Sequence, residues 1–69
     1  MRMKSYPGAE RHLSAAIRLK PEHIEARKQL AEVYLQTGRG GEARRELTRV
    51  IEISPTDIES RMKLQGMGQ

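Results

Sequence analysis

When the chain is laid over itself with a shift of 34 residues, Ala9 meets Ala43, Leu13 meets Leu47, Ile17 meets Ile51 and Pro21 meets Pro55. The same shift pairs Ile24 with Ile58, Glu25 with Glu59, Arg27 with Arg61 and Leu30 with Leu64, and sets Leu19 over Ile53. These are mostly apolar and turn positions, where a packed repeat constrains its sequence most. A repeat of this period is one supersecondary unit that cannot bury its apolar face alone, so its neighbours must cover it.

Within the period the apolar spacing is helical. From Ile24 to Gln36, the residues Ile24, Leu30, Ala31, Tyr34 and Leu35 recur at three- and four-residue steps and form one stripe. Thr37-Gly38-Arg39-Gly40-Gly41 stops that helix, because glycine tolerates the left-handed conformation of a helix end. A second helix is expected from about Glu42 to Ile53, with Ala43, Leu47, Val50 and Ile51 on one face and Ser54-Pro55 ending it. The second-helix pattern also occurs earlier, over Ala9 to Leu19, before Pro21. A first-type helix follows Pro55, capped by Asp57 and carrying Ile58, Met62 and Leu64; Gly66 and Gly68 are expected to weaken it. The expectation is an all-α chain of about four helices, built from antiparallel helix-turn-helix pairs. One domain spans 1–69: a second-helix half repeat over 6–21, a complete repeat over 22–55 and a first-helix half repeat over 56–69 that fades at its end.

Leu30-Ala31, Tyr34, Gly38, Ala43, Leu47, Val50 and Pro55, in this spacing, resemble the tetratricopeptide repeat family. The resemblance covers the complete unit and the half-unit before it (Tyr6, Ala9, Leu13, Ala16, Pro21), and is thinner beyond Ile58. It implies helix pairs stacked into a right-handed superhelix, with Ala31 and Ala43 small enough for close helix approach while Leu30, Tyr34 and Leu47 fill the space around them. Arg27 and Arg61 stand where the family often carries a Trp or another large residue, so a thinner contact is expected there. Val50 replaces the usual Ala at the second crossing, and Gly40 replaces an aromatic that Tyr6 keeps in the preceding half-unit. The chain also reads as a truncated array, beginning without the first helix of its first unit and ending inside the first helix of its last.

Such repeats bind peptides or proteins in a concave groove lined by the first helix of each unit. By position, the groove residues are Glu25, Lys28, Glu32, Leu35 and Gln36, extended by Glu59, Met62 and Lys63. The bland alternative for each is a solvated helix residue with i, i+4 neighbours such as Glu25 to Gln29 and Lys28 to Glu32. Lys28 matches one position of the subclass that clamps carboxylate tails, but Glu32 stands where that subclass needs Asn, so a clamp is disfavoured. A groove of mixed sign with an apolar end at Leu35 suits an amphipathic helix or an extended segment. The competing reading is a structural, self-associating fragment or an engineered array, a homo-oligomer joined through uncovered faces at Ala9, Leu13, Ile17, Met62 and Met67.

Other functions fit the residues poorly. The net charge of +4 raises nucleic acid as a partner, but Glu10, Glu42, Glu46 and Glu52 interleave with Arg11, Arg18, Arg44, Arg45 and Arg49. No spare aromatic is present for stacking on bases. His12 and His23 lie too far apart for a helical metal pair, and the chain has no cysteine, so neither a metal nor a cofactor is expected. Gly38-Arg39-Gly40-Gly41 lacks the strand and the Lys-Ser/Thr pair of a phosphate loop. There is no Ser-His arrangement or deep pocket to tune a catalytic pKa, so an enzyme is not expected. No apolar run reaches the roughly 18 residues of a membrane span, and Met1-Arg2-Met3-Lys4-Ser5-Tyr6 opens no secretory signal. The reading is a soluble chain with no membrane partner; among compartments the cytoplasm is favoured, though nothing in the sequence fixes it.

Overall fold

The computed structural model describes residues 6–67, with side chains for residues 8–66. Four helices follow in order: α1 (Tyr6–Leu19), α2 (Ile24–Gln36), α3 (Gly40–Ile53) and α4 (Ile58–Met67), with no strand among the described residues. α2 packs against α1 on one side and α3 on the other, and α4 then packs against α3. The body measures 35 × 30 × 17 Å. Each helix keeps exposed residues on a face toward solvent.

The turns repeat with the sequence. His23 caps α2 by accepting the Ala26 amide on Nδ1 at 3.2 Å, and Asp57 caps α4 by accepting the Ser60 amide on Oδ1 at 3.1 Å. The backbone repeats too: His23 N–H donates to Lys20, and Asp57 N–H to Ser54, at 2.9 and 3.0 Å. Between α2 and α3 the chain closes differently. The Arg39 amide reaches back to the Tyr34 carbonyl at 2.7 Å and the Gly38 amide to Leu35 at 3.2 Å, the two bonds of a Schellman end. Gly38 adopts φ +76° there, where a side chain would crowd the following carbonyl.

The core is the one the repeat pattern marks. Leu30, Ala31, Tyr34, Ala43 and Leu47 form one buried cluster, with Ala31 and Ala43 almost fully covered at the α2–α3 crossing. Val50 is fully buried as well, so the larger residue at that crossing is accommodated. Leu13, Ile17, Leu35 and Leu64 pack against the cluster from the rim.

Two boundaries differ from the expectation. α3 begins at Gly40 rather than near Glu42, because only Gly38 needs the left-handed conformation and Gly40 and Gly41 enter the helix. α1 starts at Tyr6 rather than Ala9, since proline at position 7 is tolerated in a first turn, where its missing N–H costs nothing. α4 continues through Gly66 to Met67.

Candidate protein-binding surface

Lys28 on α2 lies between two carboxylates near the start of α4, with Nζ 3.2 Å from Asp57 Oδ2 and 2.9 Å from Glu59 Oε1. One turn further along α2, Glu32 Oε1 receives Lys63 Nζ at 3.0 Å, and Glu32 Oε2 accepts from Gln36 Nε2 at 3.2 Å. These contacts join α2 to α4, the first-type helices of successive units, across a single shared face. The Lys28 pKa is raised by its hydrogen bonds to Glu59 and Asp57, against a smaller opposing effect of burial. The Asp57 pKa is lowered, first by the Ser60 amide; burial opposes the shift and the Lys28 ammonium adds to it.

Of the residues assigned to a groove from the sequence, the structure thus gathers Lys28, Glu32, Gln36, Glu59 and Lys63 on one face. Glu25 is exposed on the same helix, one repeat step before Glu59. Met62 is 64% exposed and occupies the repeat position of Lys28. Leu35 is only half exposed and leans on the core, so it serves packing at least as much as recognition. Lys28 spans to α4 rather than resting as a solvated neighbour along its own helix. Counting Asp57, this face sets four carboxylates against two ammonium groups, in a chain whose net charge is +4.

The positions assigned to self-association fare differently from one another. Ala9, Leu13 and Ile17 are half-buried, and Leu13 and Ile17 touch the core, so α2 already covers part of them. The side chain of Met67 lies outside the described residues. Large apolar residues standing most clear of the protein are Leu19, Ile58 and Met62.

Two polar clusters escaped the sequence reading. Arg27 is not a thinner contact: it is 8% exposed, with Nε donating to the Pro21 carbonyl at 2.8 Å and Nη1 to Glu46 Oε1 at 2.8 Å. The guanidinium rebuilds in polar form the contact that a large apolar side chain would make. Its signal was in the sequence, because Arg27 falls three residues after Ile24 and four before Ala31, on the apolar stripe itself. Arg39 stacks 4.7 Å from the centre of the Tyr34 ring and reaches Glu10 at 2.8 Å and Glu42 at 3.2 Å, tying α1, α2 and α3 together. Burial, then Glu10 and Glu46, push the Tyr34 phenol up, while Arg39 pulls it down.

Among the described residues no group of three His, Cys, Asp or Glu side chains is placed to hold a metal ion. No helix there is long and apolar enough to cross a membrane. The tetratricopeptide repeat family model matches residues 1–65. The chain belongs to the tetratricopeptide repeat family. No curated protein and no solved structure shows a significant match to it. Members of this family are in general non-catalytic scaffolds for protein–protein interaction, which makes the face shared by α2 and α4 the natural candidate site of this tetratricopeptide repeat.

Proposed function

We propose that the face shared by α2 and α4 binds a segment of another protein, with Glu25, Lys28, Glu32, Gln36, Glu59, Met62 and Lys63 as its contact residues. The observation that carries this reading is the ladder of Lys28–Glu59 and Glu32–Lys63 pairs, which sets two first-type helices side by side with their polar groups outward. A recognition surface needs polar groups that can leave their present partners at little cost, and exposed ion pairs are worth only about 0–1 kcal/mol each. The surplus of carboxylates favours a segment with basic side chains, and exposed Met62 gives it an adaptable apolar contact. Selection of displayed peptides against the whole chain tests this. Peptides rich in Lys and Arg are expected, losing about tenfold or more in affinity when Glu25 and Glu32 are both changed to Lys, with the helical circular dichroism unchanged. Selected peptides indifferent to that change would sink the proposal.

Self-association is the second reading, and exposed Met62 favours it. It differs in one observable: the mass by light scattering would rise with concentration and fall back to the monomer on Met62→Glu. A constant monomer mass would dismiss it.

A further inference from the structure

Opposite faces of the molecule carry opposite charge. Where α2 and α4 meet, carboxylates outnumber ammonium groups, yet the chain as a whole stands at +4, so positive charge is in excess elsewhere. On α1 and α3 it is carried by arginines: Arg11, Arg18, Arg45 and Arg49 are all exposed. The glutamates that alternate with them along the chain are mostly turned to other cations. Glu46 lies on buried Arg27 at 2.8 Å, while Glu10 and Glu42 meet Arg39 at 2.8 and 3.2 Å. Glu52 stays among the arginines, 3.2 Å from Arg49, in a pair more than half exposed at both ends. Arg11, Arg18 and Arg45 form no ion pair among the described residues. The line of cations belongs to the repeat, since Arg11 and Arg45 hold the same position one period apart and Arg18 holds that of Glu52. Arg45 and Glu52 stand in solvent although α3 lies between α2 and α4, so these positions stay open on a second-type helix flanked on both sides.

We propose that the outer face formed by α1 and α3 is a second docking site, for an acidic segment of another protein whose carboxylates meet Arg11, Arg18, Arg45 and Arg49. Charge complementarity selects this occupant. A guanidinium presents a planar fork of donors that fits a carboxylate, and carboxylates already hold Arg27 and Arg39 within the chain. Arg11 and Arg18 are seven residues apart, two turns on one side of α1, so their guanidinium groups can take carboxylates spaced by about 10 Å. Arg49 can leave Glu52 for an incoming carboxylate at little cost, because exposed pairs are weak. A nucleic acid fits this face less well: Glu52 interrupts a track of phosphates, and Tyr34 is buried and cannot stack on a base. The site shares no residue with the face of α2 and α4, so one chain can hold a basic and an acidic segment together.

The probe is a Glu-rich synthetic peptide free of Lys and Arg, titrated into the intact, isotope-labelled chain at low salt and followed by amide NMR. Exposed ion pairs contribute little one at a time, so Kd is expected at about 0.1–1 mM. Shifts should gather around Arg11, Arg18, Arg45 and Arg49, be absent at Glu25, Glu32 and Met62, and shrink as salt is added. Arg11→Gln together with Arg45→Gln should weaken binding roughly fivefold or more. Helical circular dichroism should be unchanged in that variant, because both side chains are exposed. Arg61→Glu on α4 lowers the net charge by the same amount and should leave binding as it was, which separates this face from the general attraction of a basic chain. An absence of shifts with the peptide at millimolar concentration would overturn the proposal, as would equal shifts from a version of the peptide with Gln in place of Glu. So would equal weakening by Arg61→Glu, or tighter binding of a single-stranded oligonucleotide of the same net charge, which would assign the face to nucleic acid.

Discussion

Gly38 and Gly41 lie three residues apart and are set to respond oppositely to the same substitution. Gly38 holds φ +76° and forms the left-handed end of α2, although a Cβ there would meet nothing within 4 Å. The cost of Gly38→Ala is therefore conformational alone, about 1–2 kcal/mol. Gly41 is inside α3, also with open space around a Cβ, so Gly41→Ala is expected to stabilise the chain by about 0.5–1 kcal/mol. Urea denaturation of the two variants beside the parent measures both signs at once. The sequence announced a turn at these glycines but not which of them carries it, because five consecutive turn-forming residues give the same signal until the hydrogen bonds are known. Leu30, Ala31, Tyr34, Ala43 and Leu47 were legible as core because their spacing is helical and three of the five positions recur in kind one repeat away. Arg27 was expected to make a thinner contact, because its residue type does not show a partner, and the contact it makes depends on Glu46, 19 residues distant.

At the scale of the helices, the Arg27–Glu46 pair joins α2 to α3, and the Pro21 carbonyl ties the same guanidinium to the preceding turn. Taking one partner away leaves the other buried without its counter-charge, so Arg27→Ala is expected to cost roughly 3 kcal/mol. Arg27→Lys should recover only part of this, because an ammonium cannot reach both acceptors as the planar fork does. Replacing both partners, as Arg27→Met with Glu46→Leu, should come back to within about 1 kcal/mol of the parent. Equilibrium unfolding of the three variants beside the parent measures these costs.

The start of α4 is expected to be acid-sensitive. The Asp57 pKa is lowered in the folded chain, so its contribution is fully present above the unfolded value of about 3.9 and is lost as pH falls through the lower, folded one. Hydrogen exchange at the Ser60 amide should accelerate across that acid window in the parent. Asp57→Asn, which keeps an oxygen for the cap and removes the charge, should flatten the dependence.

Over the whole molecule, the architecture was readable because the period, the helical spacing and the breakers at Gly38 and Pro55 all point to the same stacked helices. The face shared by α2 and α4 was readable in outline for the same reason, since groove positions follow from the register of a first-type helix. The pairing across it was not, because Lys28 with Glu59 and Glu32 with Lys63 depends on the spacing of helices 31 residues apart in the chain. Leu35 shows the limit of register alone, being drawn into the rim of the core by packing that a single helix cannot reveal.

The most direct test of the central claim is a map of amide shifts on the labelled chain with a tightly selected peptide at saturation. The account expects the largest changes at Glu25, Lys28, Glu32 and Gln36 on α2 and at Glu59, Met62 and Lys63 on α4. Changes confined to Arg11, Arg18, Arg44, Arg45 and Arg49 on α1 and α3 would contradict it and move the binding surface to the opposite set of helices.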